Sequence, residues 1–127
     1  MEQDRFLPER VPITSYGNGG FRFAGLSHQG SLLILGSGIR AWRPEGFADV
    51  KLTDFAQILS ARQRPGFLLF GTGSNMHLPQ AELKAAFADA GVALETMATG
   101  AAVRTYNILL AEKRDVAAAL IAVETAR

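Results

Sequence analysis

The chain has 127 residues, and its 13 Lys and Arg against 12 Asp and Glu leave a formal net charge of +1. This length is typical of one domain, and the 48% of hydrophobic residues is enough to build a core. The basic residues are scattered along the chain, so no nucleic-acid-binding stripe is expected. There is no cysteine, which excludes disulfides, thiolate nucleophiles, iron–sulfur clusters and thiolate zinc sites.

Residues 1–5 carry charges of both signs and lead into Pro8 and Pro12, so residues 1–12 predict a loose lead-in to a single domain over residues 1–127. They lack the apolar centre of a signal peptide. No apolar stretch approaches the roughly 20 residues that span a bilayer. We therefore expect a soluble, cytoplasmic protein without membrane insertion.

The N-terminal half is predicted to be mainly β. Residues 13–16 and 21–23 alternate in polarity, and the glycine- and asparagine-rich segment 17–20 between them predicts a hairpin turn. Two further apolar runs, over residues 30–36 and 38–42, predict strands that join the same sheet as the rest of the chain.

Three helices are predicted from apolar spacing and from their end signals. The first covers residues 54–61. The second begins at Pro79 and ends at the C-cap Gly91, because proline suits the first turn and glycine suits the left-handed cap. The third follows Thr99 as N-cap.

The C-terminal half alternates strands and helices. Residues 67–70 and 93–97 predict strands that each lead through a loop into a helix. The alanine-rich residues 116–123 suit a helix by propensity, but the alternation favours a strand, which we adopt. The predicted fold is α/β and three-layered, with a mixed central sheet of about five strands, a βαβαβ C-terminal half and an N-terminal β-hairpin.

The loops after the two predicted parallel strands share one edge of the sheet, where such folds often bind ligands. The first resembles half of a dinucleotide fingerprint, but Met76 stands at its third glycine position and its helix starts only at Pro79. Its alternative role is a tight exit from a strand. The candidate residues for a small polar or anionic ligand are Gly71, Thr72, Gly73, Ser74, Asn75, His77, Thr99, Thr105, Tyr106 and Asn107.

The same residues have structural alternatives. Thr99 is expected to cap its helix, and Tyr106 to bury its ring and bond through its hydroxyl. His77 is one of two histidines and suits a general base, but no Ser-His-Asp arrangement accompanies it. We therefore predict no catalytic residue, no metal site and no cofactor.

Three apolar residues are candidates for contact with a partner protein. Trp42 precedes an arginine, and both residue types are frequent at interface hot spots; its alternative is core packing. Ile108 lies on the polar side of its helix, and Phe47 is expected to join the same surface.

A longer set of residues carries a family resemblance, strongest from Phe67 onward. These residues are Phe70-Gly71-Thr72-Gly73, Pro79, Gly91-Val92, Glu95, Met97-Ala98-Thr99, Ala102, Thr105-Tyr106-Asn107-Ile108-Leu109, Glu112 and Val116-Ala117-Ala118-Ala119-Leu120-Ile121. In them the chain resembles domain-of-unknown-function family 498, the Mth-type domain, whose members include mitochondrial complex I assembly factor 3. The resemblance implies a three-layer α/β fold with a mixed sheet and no established catalytic residues.

From this we expect a non-enzymatic interaction protein with a protein partner, in the specific form of an assembly factor for respiratory complex I or another membrane complex. The alternative is a ligand binder or enzyme that uses the crevice between residues 71–75 and the start of the third helix.

Overall fold

The computed structural model describes residues 5–126 as nine strands, three α-helices and two short 3-10 helices. The strands are β1 (Arg5–Leu7), β2 (Ser15–Gly17), β3 (Gly20–Phe23), β4 (Leu26–Gln29), β5 (Ser31–Leu35), β6 (Gly38–Trp42), β7 (Phe67–Gly71), β8 (Ala93–Met97) and β9 (Ala117–Leu120). The helices are α1 (Ala56–Leu59), α2 (Ala81–Ala90) and α3 (Thr99–Ala111), with 3-10 helices at Phe47–Asp49 and Leu52–Phe55.

The central sheet is mixed and has the strand order β1-β6-β5-β9-β7-β8. β7 pairs in parallel with both β8 and β9, whereas the pairs β1–β6, β5–β6 and β5–β9 are antiparallel. The predicted α/β class, mixed sheet and βαβαβ half are confirmed. The sixth strand, beyond the predicted five or so, is the three-residue edge strand β1.

β9 confirms the strand predicted within residues 116–123. It lies between β5 and β7, and each of its four residues is buried. Ala118 and Leu120 face one side of the sheet, and Ala117 and Ala119 face the other. Pairing on both edges and burial on both faces outweigh the helical propensity of alanine.

The sheet is the middle of three layers. On one face, α3 packs through Val103 and Tyr106 beside Phe21 and Phe23 of β3. On the other face, α1, α2 and the 3-10 helices cover an aromatic cluster. Phe55 lies at its centre, with ring centroids 5.3 Å from Trp42 and 5.3 Å from Phe87 in edge-to-face geometry.

The N-terminal hairpin is confirmed, but its place in the fold was wrongly predicted. Asn18 and Gly19 both have positive φ, 53° and 76°, as the two-residue turn between β2 and β3 requires. These strands and the unpredicted β4 form a separate antiparallel sheet. The alternating burial of β3 packs this sheet onto a face of the central sheet and does not extend its edge.

The helix boundaries also depart from the sequence prediction. The first predicted helix is a 3-10 helix followed by the four-residue α1, because the Asp54 carboxylate accepts a hydrogen bond from the Lys51 N–H at 2.8 Å and starts the turn early. α2 starts two residues after Pro79, while Gly91 ends it with φ of 74° as predicted. No helix in residues 5–126 combines the length and apolar character needed to cross a bilayer.

Part of the predicted lead-in contacts the rest of the chain. Residues 5–7 form β1 against β6. Further along, Arg10 pairs with Asp115 at 2.9 Å. Residues 1–4 of the predicted lead-in lie outside the described residues.

Candidate functional site

The loop after β7 is closed around one hydroxyl. Thr72 Oγ1 donates to the carbonyl of Asn75 at 2.7 Å and accepts from the N–H of His77 at 3.0 Å. Thr72 is buried, while Ser74, Asn75 and His77 are exposed. The Thr72 hydroxyl is therefore committed to structural hydrogen bonds, whereas the side chains of Ser74, Asn75 and His77 remain exposed.

Thr99 ties the carboxyl ends of two neighbouring strands to α3. Its buried hydroxyl accepts from the Gly73 N–H at 3.0 Å and donates to the Ile121 carbonyl at 2.7 Å. Its own N–H donates to the Gly73 carbonyl at 2.8 Å. The prediction that Thr99 is the N-cap of α3 is wrong, because Ala98 occupies that position without a side-chain cap.

The base of the crevice between the two loops is consequently closely packed. A Cβ placed on Gly71 would lie 3.0 Å from the Thr99 Cα and 3.1 Å from the Leu120 side chain. The end of β7 and the start of α3 are therefore in close contact at Gly71.

A shallow pocket of about 210 Å³ remains beside the first turn of α3. Ser74, Gly100, Ala101 and Arg104 contribute to its wall. Because the amino end of a helix favours negative charge, this pocket is the remaining location for an anionic ligand.

Tyr106 and Asn107 hold the N-terminal segment and do not face the glycine loop. The Tyr106 hydroxyl donates to the Val11 carbonyl at 2.7 Å, and burial raises the pKa of this phenol. The Asn107 amide bonds both the N–H and the carbonyl of Ile13, each at 2.9 Å. Thr105 is half-buried and makes no side-chain hydrogen bond among the described residues.

The glycine loop exposes two large apolar side chains beside its polar ones. Leu78 is 76% exposed and Met76 is 53% exposed, and together they are two of the four large hydrophobic residues exposed in the described chain. His77 between them stacks on Phe47 with ring centroids 4.6 Å apart and planes 15° apart. We call Phe47, Met76, His77 and Leu78 the Leu78 ridge.

Sequence reasoning identified Phe47 and His77 but assigned them to different surfaces, and it missed Met76 and Leu78. The available signal was a pair of apolar residues in a loop that has neither strand nor helix periodicity. A cavity shares Phe47 with the ridge, and its other walls are both apolar and polar: Val50, Lys51, Leu52, Phe70, Gln80, Glu82 and Leu83. The ridge and this cavity therefore meet at Phe47.

The other two interaction candidates lie apart from the ridge. Trp42 is only 7% exposed, and its indole N–H donates to the Asp54 carbonyl at 2.8 Å, so it packs in the core and not on a surface. Ile108 is 59% exposed on α3, which covers the opposite face of the sheet from Phe47.

The strongest electrostatic cluster shapes the segment that carries Phe47. Arg43 bonds both oxygens of Asp54 at 2.8 and 2.7 Å and one oxygen of Asp49 at 3.1 Å. The Arg43 guanidinium lowers the pKa of the Asp54 carboxyl, while a backbone N–H from Glu45 lowers that of Asp49 first and Arg43 second. These contacts fix both 3-10 helices against Arg43.

No group of three or more histidine, aspartate or glutamate side chains is placed to hold a metal ion anywhere in residues 5–126. Burial also lowers the pKa of His28 in β4, well away from the glycine loop along the chain.

Comparison with known proteins places the chain in a family. Residues 13–121 match the family described as "Protein of unknown function (DUF498/DUF598)". The chain belongs to this family. The resemblance predicted from the sequence is therefore confirmed for most of the chain.

Relatives of this DUF498 chain include proteins with and without an assigned role. An uncharacterized protein of Rhodobacter capsulatus is 41% identical over 87% of this chain and 84% of its own length. NADH dehydrogenase [ubiquinone] 1 alpha subcomplex assembly factor 3 of Xenopus tropicalis is 28% identical over 93% of this chain. The match spans 64% of that relative, just under two thirds of its length.

A solved structure supports the same fold. The crystal structure of a protein named as an outer membrane protein from Bartonella henselae has a TM-score of 0.86 and is 44% identical. The match covers 92% of this chain and 98% of the Bartonella chain.

Proposed function

We propose that this protein is a non-enzymatic interaction protein that binds a protein partner through the Leu78 ridge, as an assembly factor for respiratory complex I or another membrane complex. The observation that carries the proposal is the pair of exposed side chains Met76 and Leu78 on either side of the stacked His77. Isolated exposed apolar residues are common on protein surfaces, but two exposed apolar side chains in one loop, on either side of a stacked histidine, favour an interaction site.

The family relationship supports the same class of function. A relative is named as a complex I assembly factor, and this chain matches just under two thirds of it at 28% identity. The closed glycine loop adds a second support, because the Thr72 and Thr99 hydroxyls already bond within the protein.

The expected contribution of the ridge follows from the burial of one side chain. Full burial of a leucine side chain contributes about 1.5–3 kcal/mol, and about 1.4 kcal/mol changes a Kd tenfold. A charged residue in place of Leu78 would additionally bury an unpaired carboxylate at the interface. We therefore expect Leu78→Asp to weaken binding by about tenfold or more.

Affinity purification of the tagged protein from its native host, at its native level, tests this function. We expect reproducible recovery of respiratory-complex subunits or membrane-assembly factors, and loss of these proteins with Leu78→Asp. The matched control is Leu26→Asp, which makes the same change at a 44% exposed leucine in β4. Equal recovery with both variants, or no specific partner with the wild-type protein, contradicts the proposal.

A ligand-binding function is the second candidate. Its support is the pocket of about 210 Å³ at the start of α3, where Ala98 provides no side-chain cap and Arg104 adds positive charge. Titration with inorganic phosphate tests this candidate. The readouts are the melting temperature and the amide chemical shifts of Gly100 and Ala101. Unchanged shifts at these amides would exclude phosphate as a ligand of this pocket.

The proposal retains a cytoplasmic location, from which the protein reaches the membrane complex that it helps to assemble. A solved neighbour is named as an outer membrane protein, so location needs a direct test. Cell fractionation with and without a high-salt wash provides one. Recovery in the cytosolic or salt-released fraction agrees with the proposal, while retention in the washed membrane pellet contradicts it.

A further inference from the structure

β8 is an edge of the central sheet and has unused backbone hydrogen-bonding groups. Within residues 5–126 it pairs only with β7. The Ala93 N–H donates towards the β7 side at 3.1 Å, and the Met97 carbonyl accepts from that side at 2.9 Å. Because backbone groups alternate along a strand, Leu94 and Thr96 direct their N–H and carbonyl groups to the open edge.

An open groove of about 350 Å³ runs beside this edge, between β8 and α2. Phe87 of α2 and Leu94 of β8 give it an apolar floor, and Lys84 lies along its wall. The groove reaches the Leu78 ridge, because Thr96 at its end contacts the sulfur of Met76 at 3.9 Å.

The outward backbone groups of β8 determine which type of chain can pair with this edge. Water satisfies these two outward N–H groups and two outward carbonyls in the free protein, and among protein segments only a chain in the extended conformation pairs with all four at once. An extended chain also directs alternate side chains to one face, so every second residue would enter the groove beside Leu94 and Thr96.

A second copy of this chain fits the edge poorly. Two copies could pair their β8 strands antiparallel about a two-fold axis. If the outward groups of Leu94 and Thr96 are all used, Leu94 of one copy faces Thr96 of the other. That register places Glu95 directly opposite Glu95, with Cβ atoms about 4.5–5.5 Å apart, where like charges are destabilising. The occupant is therefore a segment of a different protein.

The charges beside the edge define that segment further. Lys84 lies on the α2 side and makes no ion pair among residues 5–126. Glu95 alternates with Leu94 and Thr96 and so faces the α3 side, where it is exposed. A complementary strand has apolar residues and one acidic residue on the groove side, with a basic residue between them opposite Glu95.

We propose that β8 binds an extended segment of the partner protein as an additional strand, with alternate apolar side chains in the β8–α2 groove and charges complementary to Lys84 and Glu95. This inference rests on the proposed function and names the mode of partner binding. The added strand would continue the contact from the Leu78 ridge along the edge of the sheet.

Selection from a phage library of random dodecapeptides against the full chain tests the proposal. We expect selected peptides that alternate apolar and charged residues and that bind in one-to-one complexes. Thr96→Pro removes an outward N–H and leaves the bonds to β7 intact, because proline is tolerated on the solvent side of edge strands. It should weaken these peptides about tenfold, while the control Thr96→Val, which keeps the N–H, should bind like wild type.

Amide hydrogen exchange of the wild-type protein gives a readout that does not depend on the folding of a variant. In the free protein, we expect the amides of Leu94 and Thr96 to exchange faster than those of Ala93 and Glu95. Selected peptides should slow the exchange of Leu94 and Thr96 specifically. Peptides that bind without protecting these two amides, or a library that yields no binder at β8, would overturn the proposal.

The outcomes separate this inference from the proposed function. If Leu78→Asp abolishes recovery of the native partner but Thr96→Pro does not, the interaction function stands and strand addition fails. If sedimentation shows that the wild-type protein dimerises and that Thr96→Pro abolishes the dimer, β8 pairs with a second copy and the inference is wrong. Loss of the native partner with both variants, while Leu26→Asp and Thr96→Val retain it, supports both.

Discussion

Substitution of Thr99 by valine tests whether the hydrogen bonds of the Thr99 hydroxyl hold the base of the crevice closed. Valine keeps the branched shape of threonine and replaces its hydroxyl by a methyl group. The change leaves the Gly73 N–H and the Ile121 carbonyl without the partner that now bonds both, at 3.0 and 2.7 Å. Because Thr99 is 0% exposed, water does not readily replace the hydroxyl.

The size of the destabilisation follows from the two backbone groups that lose their hydrogen-bond partner. An unsatisfied buried donor or acceptor costs about 1–3 kcal/mol, and a carbonyl tolerates the loss better than an N–H. We therefore expect the free energy of unfolding to fall by about 2–4 kcal/mol. At about 2.1 cal/mol/K of unfolding entropy per residue, a loss of about 3 kcal/mol lowers the Tm of this chain by about 11 °C.

Urea unfolding of the wild-type protein and three variants measures this effect. Thr99→Ser keeps the hydroxyl and loses one buried methyl group, so it should cost only about 1 kcal/mol. The matched control is Thr105→Val, the same change at a half-buried threonine of α3 that makes no described side-chain hydrogen bond; it should stay within about 0.5 kcal/mol of wild type. If Thr99→Val also stays within that range, the hydroxyl does not hold the crevice closed and the reasoning is refuted.

Three further predictions concern other contacts. Gly71→Ala should destabilise the protein by about 1–3 kcal/mol in the same assay, because its Cβ would meet the Thr99 backbone at 3.0 Å; no loss would show that this contact relaxes freely. Tyr106→Phe should cost about 1 kcal/mol and speed proteolysis of the N-terminal segment, since it removes the hydroxyl bond to that segment; unchanged proteolysis would argue against this anchor. The pKa of Asp54 is lowered in the folded state, so its contribution to stability is complete above its unfolded pKa, about 3.9, and is lost as the pH falls towards its folded pKa. Wild type should therefore exceed Arg43→Met in stability at neutral pH and approach it in acid; a difference independent of pH would contradict this.

Much of the central sheet was predictable because its signals are local. Residues 93–97 lie between the glycine that ends one helix and the loop before the next, and they form β8 with the predicted bounds. Gly91 follows the last turn of α2 and adopts the left-handed conformation that glycine favours. β9 was predictable only from the order of elements, because its alanines contradict a strand by propensity.

The remaining features depend on contacts between distant segments. Nothing in residues 15–29 indicates whether their strands extend the central sheet or cover its face, because both arrangements bury Phe21 and Phe23. Thr99 bonds residues 26 and 22 positions away in the chain, so a cap and a bridge between strands have the same local sequence. The exposure of Leu78 likewise depends on how the loop closes around Thr72.

The closure of the glycine loop and the exposure of Met76 and Leu78 both result from the hydrogen bonds of Thr72. Thr72 draws the backbone of residues 75 and 77 towards its buried hydroxyl, so the polar backbone groups of the loop turn inward. Met76 and Leu78 lie on the exposed side of the same turn. Thr72→Val should therefore disturb both features together: the loop should lose protection in amide exchange, and partner recovery should fall even though Leu78 is unchanged. If the loop opens and the partner still binds, the ridge does not require the geometry that Thr72 imposes, and the interaction surface lies elsewhere.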